Sequence, residues 1–100
     1  MYRLTICYGH PADPTAFDEY YRTVHRGLAE RVPGIQKFVV GRCDSLDRTP
    51  PPYYLVAELS FATKEVMQAA LASPEGEASA AADLANFATG GATLFGQEDW

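Results

Sequence analysis

Tyr53-Tyr54-Leu55-Val56-Ala57-Glu58-Leu59-Ser60-Phe61 is the stretch on which the fold turns. Tyr53, Leu55, Ala57, Leu59 and Phe61 fall on one side and Tyr54, Val56, Glu58 and Ser60 on the other, the period of a strand with one buried face. Upstream, Pro50-Pro51-Pro52 offers no backbone donors and reads as loop. Downstream, Thr63 is a good N-cap for a helix that buries Val66, Met67, Ala70 and Leu71.

The N-terminal half repeats this order. Residues 3–8 alternate, with Leu4, Ile6 and Tyr8 facing one way and Arg3, Thr5 and Cys7 the other, until Gly9-His10-Pro11-Ala12-Asp13-Pro14 ends the strand. Asp13 and Pro14 form an N-cap and N1 pair. Phe17, Tyr21, Val24, His25, Leu28 and Val32 then recur at helical spacing up to Pro33-Gly34, which predicts one long amphipathic helix, and residues 35–43 read as the next strand. In the C-terminal half the helix breaks at Ser73-Pro74. An alanine-rich piece over residues 75–87 follows, whose small side chains suit close packing, and Gly90-Gly91 leads into a last strand over residues 92–95. Gly34, Gly90 and Gly91 are expected to supply backbone conformations closed to other residues.

Strand-helix-strand twice over predicts an α+β chain: a ferredoxin-like split βαβ sandwich, with a four-stranded antiparallel sheet and the helices on one face. Arg3, Thr5, Tyr54, Val56, Glu58 and Phe95 are expected on the opposite, bare face. A 100-residue chain would cover that mixed surface with a second copy of itself, giving a homodimer.

Residues 1–100 read as one domain, 47% hydrophobic and 21% charged. The formal charge of −5, with no basic stripe, argues against nucleic acid and anionic membranes as partners. No apolar run spans a bilayer and the N-terminus lacks a leader's layout, so a cytoplasmic location is the expectation. Cys7 and Cys43 lie in apparent strands without metal or redox spacing and read as free thiols, although one bridge between them stays open.

His25 stands one helical turn after Tyr21 on the same face. An imidazole beside a phenol suits general acid/base work on an enol, a phenol or a proton next to a carbonyl. The competing reading is a core-edge histidine satisfied by a backbone carbonyl or by Asp83. Asp83 would either orient His25 or hold a turn. Tyr8, Phe17, Phe61 and Phe87 would line a cavity or simply fill the core, and Leu28 is expected beside His25. Histidine, cysteine and aspartate lack ligand spacing, so no metal is expected, and no phosphate-cradling glycine loop is present.

Several segments carry a resemblance: Leu4-Thr5-Ile6-Cys7-Tyr8-Gly9 with Pro11-Ala12-Asp13-Pro14-Thr15-Ala16-Phe17; Tyr20-Tyr21 with His25 and Leu28; Pro33-Gly34-Ile35; Pro52 through Phe61; Ala72-Ser73-Pro74-Glu75-Gly76; and Ala82 through Gly91. In this order and spacing the chain resembles the EthD family of the dimeric α/β barrel superfamily. Gly27 stands where the family commonly has Pro, which is expected to loosen a turn after His25. The resemblance implies a small homodimer associated with degradative or oxidative pathways, with no bound cofactor required. The functional expectation is a protein acting on, or only binding, a small hydrophobic, aromatic or enolisable molecule. His25 and Tyr21 would be catalytic, and Tyr8, Phe17, Leu28, Phe61, Asp83 and Phe87 would surround the ligand.

Overall fold

Two side-chain caps set where the helices begin. Asp13 accepts from the Ala16 N–H ahead of α1 (Pro14–Tyr20), and Thr63 accepts from the Val66 N–H ahead of α3 (Lys64–Ala72). The computed structural model describes residues 1–100, the side chain of Ala81 excepted. The remaining elements are β1 (Tyr2–Tyr8), α2 (Arg26–Glu30), β2 (Lys37–Arg42), β3 (Leu55–Phe61), α4 (Pro74–Gly76), α5 (Leu84–Phe87) and β4 (Ala92–Glu98). The four strands form one antiparallel sheet in the order β2-β3-β1-β4, with the helices on one face, a ferredoxin-like α+β arrangement.

Register follows from the alternation. Tyr2 pairs with Phe61 and Tyr8 with Leu55, so Leu4, Ile6 and Tyr8 share a face with Leu55, Ala57, Leu59 and Phe61. Phe17, Tyr21, Val32, Met67, Ala70 and Phe87 close over that face to form the core. Tyr8 and Phe61 are its largest fully buried side chains, each stabilising the fold by roughly 1.5–3 kcal/mol.

The helical layer departs from the regular helix the spacing predicts. Between α1 and α2 lies a wide turn, Tyr21–His25, in which the Arg26 N–H reaches back five residues to the Tyr21 carbonyl. The buried positions are Phe17, Tyr21, His25 and Ala29, four residues apart. On a regular helix four-residue steps drift by roughly 40° each, and the wide turn absorbs that drift. Val24 is consequently exposed, and Ala29 takes the core position expected of Leu28. Gly27 sits inside α2, so no turn follows His25. A second wide turn, Glu77–Ala82, separates α4 from α5, and the Asp83 N–H donates to the Ala78 carbonyl at 3.0 Å.

Strand limits differ as well: the second strand is shorter than residues 35–43, and the last runs to Glu98 rather than to residue 95. A bend at Tyr54 takes its ring off the bare face and onto Phe17, at 5.4 Å, where its hydroxyl donates to Asp18 at 2.7 Å. Arg3, Thr5, Val56, Glu58 and Phe95 do occupy the face away from the helices. The Thr5 hydroxyl there is buried between strands without a hydrogen-bond partner among the described residues. Gly34 and Gly91 adopt φ of 84° and 83°, whereas Gly90 keeps ordinary φ and is small for a different reason: a Cβ would lie 2.4 Å from the His10 carbonyl oxygen. Cys7 and Cys43 are free thiols. Among the described residues no helix is long and apolar enough to cross a membrane.

Candidate functional site

Each wide turn delivers one partner of a buried pair. His25 is the last residue of the first, Asp83 follows the second, and the His25 Nδ1 donates to Asp83 Oδ2 at 2.8 Å. Such wide turns recur at functional sites because they aim a side chain that a regular helix would turn away. β1 supplies the third member: alternation turns Tyr8 toward the helices, and its hydroxyl lies 3.3 Å from His25 Nε2. Since an ionised carboxylate only accepts, the proton is assigned to Nδ1, and Nε2 then accepts from the Tyr8 hydroxyl.

Asp83 has further donors. Tyr20 Oη donates to its Oδ1 at 2.6 Å and Asn86 Nδ2 at 3.2 Å. Burial by itself would push its carboxyl up. The hydrogen bonds from Tyr20, His25 and Asn86 outweigh that and hold it below the ordinary carboxylate range. For His25 the balance goes the other way: burial lowers its pKa by more than the Asp83 carboxylate raises it, so the imidazole is neutral at neutral pH.

Aromatic rings pack around the pair. Phe87 lies 4.6 Å from the His25 ring and Tyr21 5.2 Å, and Tyr8 meets Phe17 and Tyr21 edge-on at 5.6 and 5.7 Å. Burial raises the Tyr8 phenol far above its usual range and pushes Tyr21 up to about 12, so both stay protonated. The Tyr21 hydroxyl is buried near that of Tyr8, which perturbs it, but meets no partner at hydrogen-bonding distance and angle among the described residues. An unmet buried hydroxyl is uncommon and calls for a partner.

Two clefts flank this cluster. One of about 400 Å³ runs between the first helical layer and the β2–β3 side of the sheet, lined by Phe17, Tyr21, Val40 and Leu55 with Arg22, Arg26 and Arg42 at its edge. The other, of about 230 Å³, is bounded by Ala16, Phe17, Tyr20, Asn86 and Phe87. His25, only 2% exposed, lines neither; Tyr21 stands between it and the larger cleft and Phe87 between it and the smaller.

Tyr8, Phe17, Tyr21, His25, Asp83 and Phe87 are thus brought together, and two other candidates are not. Leu28 faces Arg31, Pro74, Glu75 and Ala78 in a separate groove. Phe61 sits six residues along the sheet from the Tyr8 end, roughly 20 Å away, near the Gly34 turn and Val66. Tyr20 and Asn86 escaped the sequence reading. Tyr20 is overshadowed by Tyr21 next to it, and the one available signal for Asn86 is its i+3 spacing from Asp83. No group of three or more His, Cys, Asp or Glu among the described residues is placed to hold a metal ion.

Known proteins resemble this chain to different depths. The family model described as "EthD domain" matches residues 9–91. The uncharacterized 11.0 kDa protein in the thcB-thcC intergenic region of Rhodococcus erythropolis is 53% identical over 94 residues, covering 94% of this chain and 90% of that one. The crystal structure of an ethyl tert-butyl ether d (EthD) family protein from Bacillus halodurans superposes with a TM-score of 0.93 at 32% identity, over 100% of this chain and 99% of that one. A dimeric ferredoxin-like protein of unknown function from Jannaschia sp. shares the fold alone, with a TM-score of 0.69 at 18% identity over 99% of this chain and 100% of that one.

Proposed function

This chain belongs to the EthD family, and from that premise we propose that it is a homodimer that binds a small hydrophobic, aromatic or enolisable molecule of a degradative or oxidative pathway and moves a proton on it without a bound cofactor. The larger cleft receives the ligand. The observation that carries the reading is the Tyr21 hydroxyl, buried and unpartnered in a residue that lines that cleft. A ligand oxygen entering past the ring gives this hydroxyl the acceptor it lacks.

The chemistry divides between the groups. Tyr21, pushed up to about 12, donates a hydrogen bond to an oxygen on which negative charge develops and is no base at neutral pH. His25 is neutral and can accept a proton at Nε2, the nitrogen bonded to the Tyr8 hydroxyl. Tyr8, fully buried and lining neither cleft, passes its proton to Nε2 as its oxygen takes one from a ligand that has entered past the Tyr21 ring, and Asp83 stabilises the imidazolium formed. Tyr8 acts as the proton relay, Asp83 as a positioning residue, and Phe17 and Phe87 as packing around them. For the homodimer, Val39 and Phe95, apolar and exposed on the bare sheet face, support burial of that face against a second copy.

A second reading has its own support: both nitrogens of His25 are engaged and neither cleft reaches it, as in a ligand-binding or accessory protein braced by an internal His–Asp pair. Exchange of the α-protons of β-tetralone, a neutral enolisable aromatic ketone, in heavy water separates the two. Catalysed exchange that is lost in His25→Gln and reduced about tenfold in Tyr21→Phe supports proton transfer. Saturable binding weakened by Tyr21→Phe, with exchange at the buffer rate, supports the binding protein. Binding untouched by Tyr21→Phe removes the cleft from both readings.

A further inference from the structure

The chain carries 8 Lys+Arg against 13 Asp+Glu, yet three of its arginines, Arg22, Arg26 and Arg42, border the cleft that Tyr21 lines. The single carboxylate among the lining residues, Asp18, is already engaged: it receives Arg42 Nη2 at 2.6 Å and the Tyr54 hydroxyl at 2.7 Å. Arg26 is held by Glu30 at 3.0 Å and lies over the Phe38 ring at 5.6 Å. Arg22 makes no ion pair or side-chain hydrogen bond among the described residues, although Asp18 and Glu19 line an adjoining groove with it.

Of the three arginines at this cleft Arg22 is thus the one whose charge is not already taken up by an ion pair among the described residues. Beneath the guanidinium groups the floor is apolar, formed by Phe17, Tyr21, Val40 and Leu55. About 400 Å³ accommodates a molecule of one or two rings. A guanidinium matches a carboxylate through two parallel hydrogen bonds, which a neutral polar group cannot reproduce. We infer that the ligand of this cleft is a small carboxylic acid with a compact apolar body, its carboxylate read by Arg22 at the mouth and its body lying against Tyr21. This rests on the larger cleft being the ligand site and narrows the substrate class.

The test compares hydrocinnamate with its neutral isostere hydrocinnamamide by isothermal titration against the intact protein. The acid is expected to bind about tenfold more tightly than the amide, with a preference that shrinks as salt is added. Arg22→Gln should abolish the preference and Arg22→Lys retain part of it; position 22 is exposed, and unchanged circular dichroism confirms the fold. Equal binding of acid and amide overturns the carboxylate inference and leaves the cleft as ligand site. An acid preference that survives Arg22→Gln likewise overturns the assignment to Arg22. Binding of β-tetralone without binding of either probe overturns the inference alone, and failure of all three molecules removes both readings.

Discussion

Replacing Asp83 with Ala tests the centre of the site. The carboxylate takes the His25 Nδ1 proton at 2.8 Å in a place where both residues are under 5% exposed. A hydrogen bond with one ionised partner contributes about 1.5–3 kcal/mol, and a buried donor left without an acceptor costs a further 1–3 kcal/mol or so. Asp83→Ala should therefore destabilise the protein by roughly 3–5 kcal/mol, a large part of the 5–15 kcal/mol usual for a chain of this size. Urea denaturation followed by circular dichroism measures it, with an unchanged slope as the sign that the denatured state is unaffected. The cycle is completed by His25→Phe and the double variant. If the pair is coupled, the double variant is less destabilised than the sum of the two singles by about 1.5 kcal/mol or more, because the His25 Nδ1–H is no longer there to be left without an acceptor. Single effects that simply add, to within about 0.5 kcal/mol, would refute the pairing as an energetic unit.

Acidification should act on the same pair in two stages. The folded-state pKa of His25 lies below its ordinary value of 6.5, so between the two values the unfolded chain binds the extra proton; this part of the stability is complete above 6.5 and is lost as pH falls below it. The Asp83 carboxyl is also lowered, from 3.8, so its contribution is complete above 3.8 and is lost as pH falls further. Melting temperatures across this range should show both stages, with His25→Phe removing the first; a flat profile in that variant and in the wild type alike would deny the first stage. Val56→Asp, on the bare sheet face, should place an unpaired charge in the dimer interface and weaken association by roughly 3–5 kcal/mol. Sedimentation velocity at micromolar concentration reads the effect, and a monomeric parent protein would overturn the homodimer.

The architecture was legible because its signals are local. The two-residue period of residues 55–61 survives intact in β3, and Asp13 and Thr63 cap the helices they head. Tyr54 broke the pattern because a bend is decided by what the ring can reach, here Phe17 and Asp18, and not by its neighbours in sequence. Leu28 was misplaced for a related reason. Spacing assumes 3.6 residues per turn, and nothing in composition announces that residues 21–25 wind more loosely. Within the site, Tyr21 and His25 were readable as an i, i+4 pair, whereas Tyr8 with His25 and Tyr20 with Asp83 join residues 17 and 63 apart. Such long-range contacts exist only once the sheet and the helices have been assembled.

The wide turns also bear on how this chain should be compared with its relatives. A turn that holds one residue more than its neighbours is what a single-codon insertion into a regular helix leaves behind. Removing one residue from 22–24 would restore regular winding and leave the later residues of that helix facing as they do now, whereas winding all of the present residues regularly would swing them by roughly 100° and carry the imidazole away from its carboxylate. In an ungapped alignment a relative without the extra residue would place its inward-facing histidine one column early, beside Val24. Gap placement in these two short segments, more than overall identity, decides which sequences keep the pair.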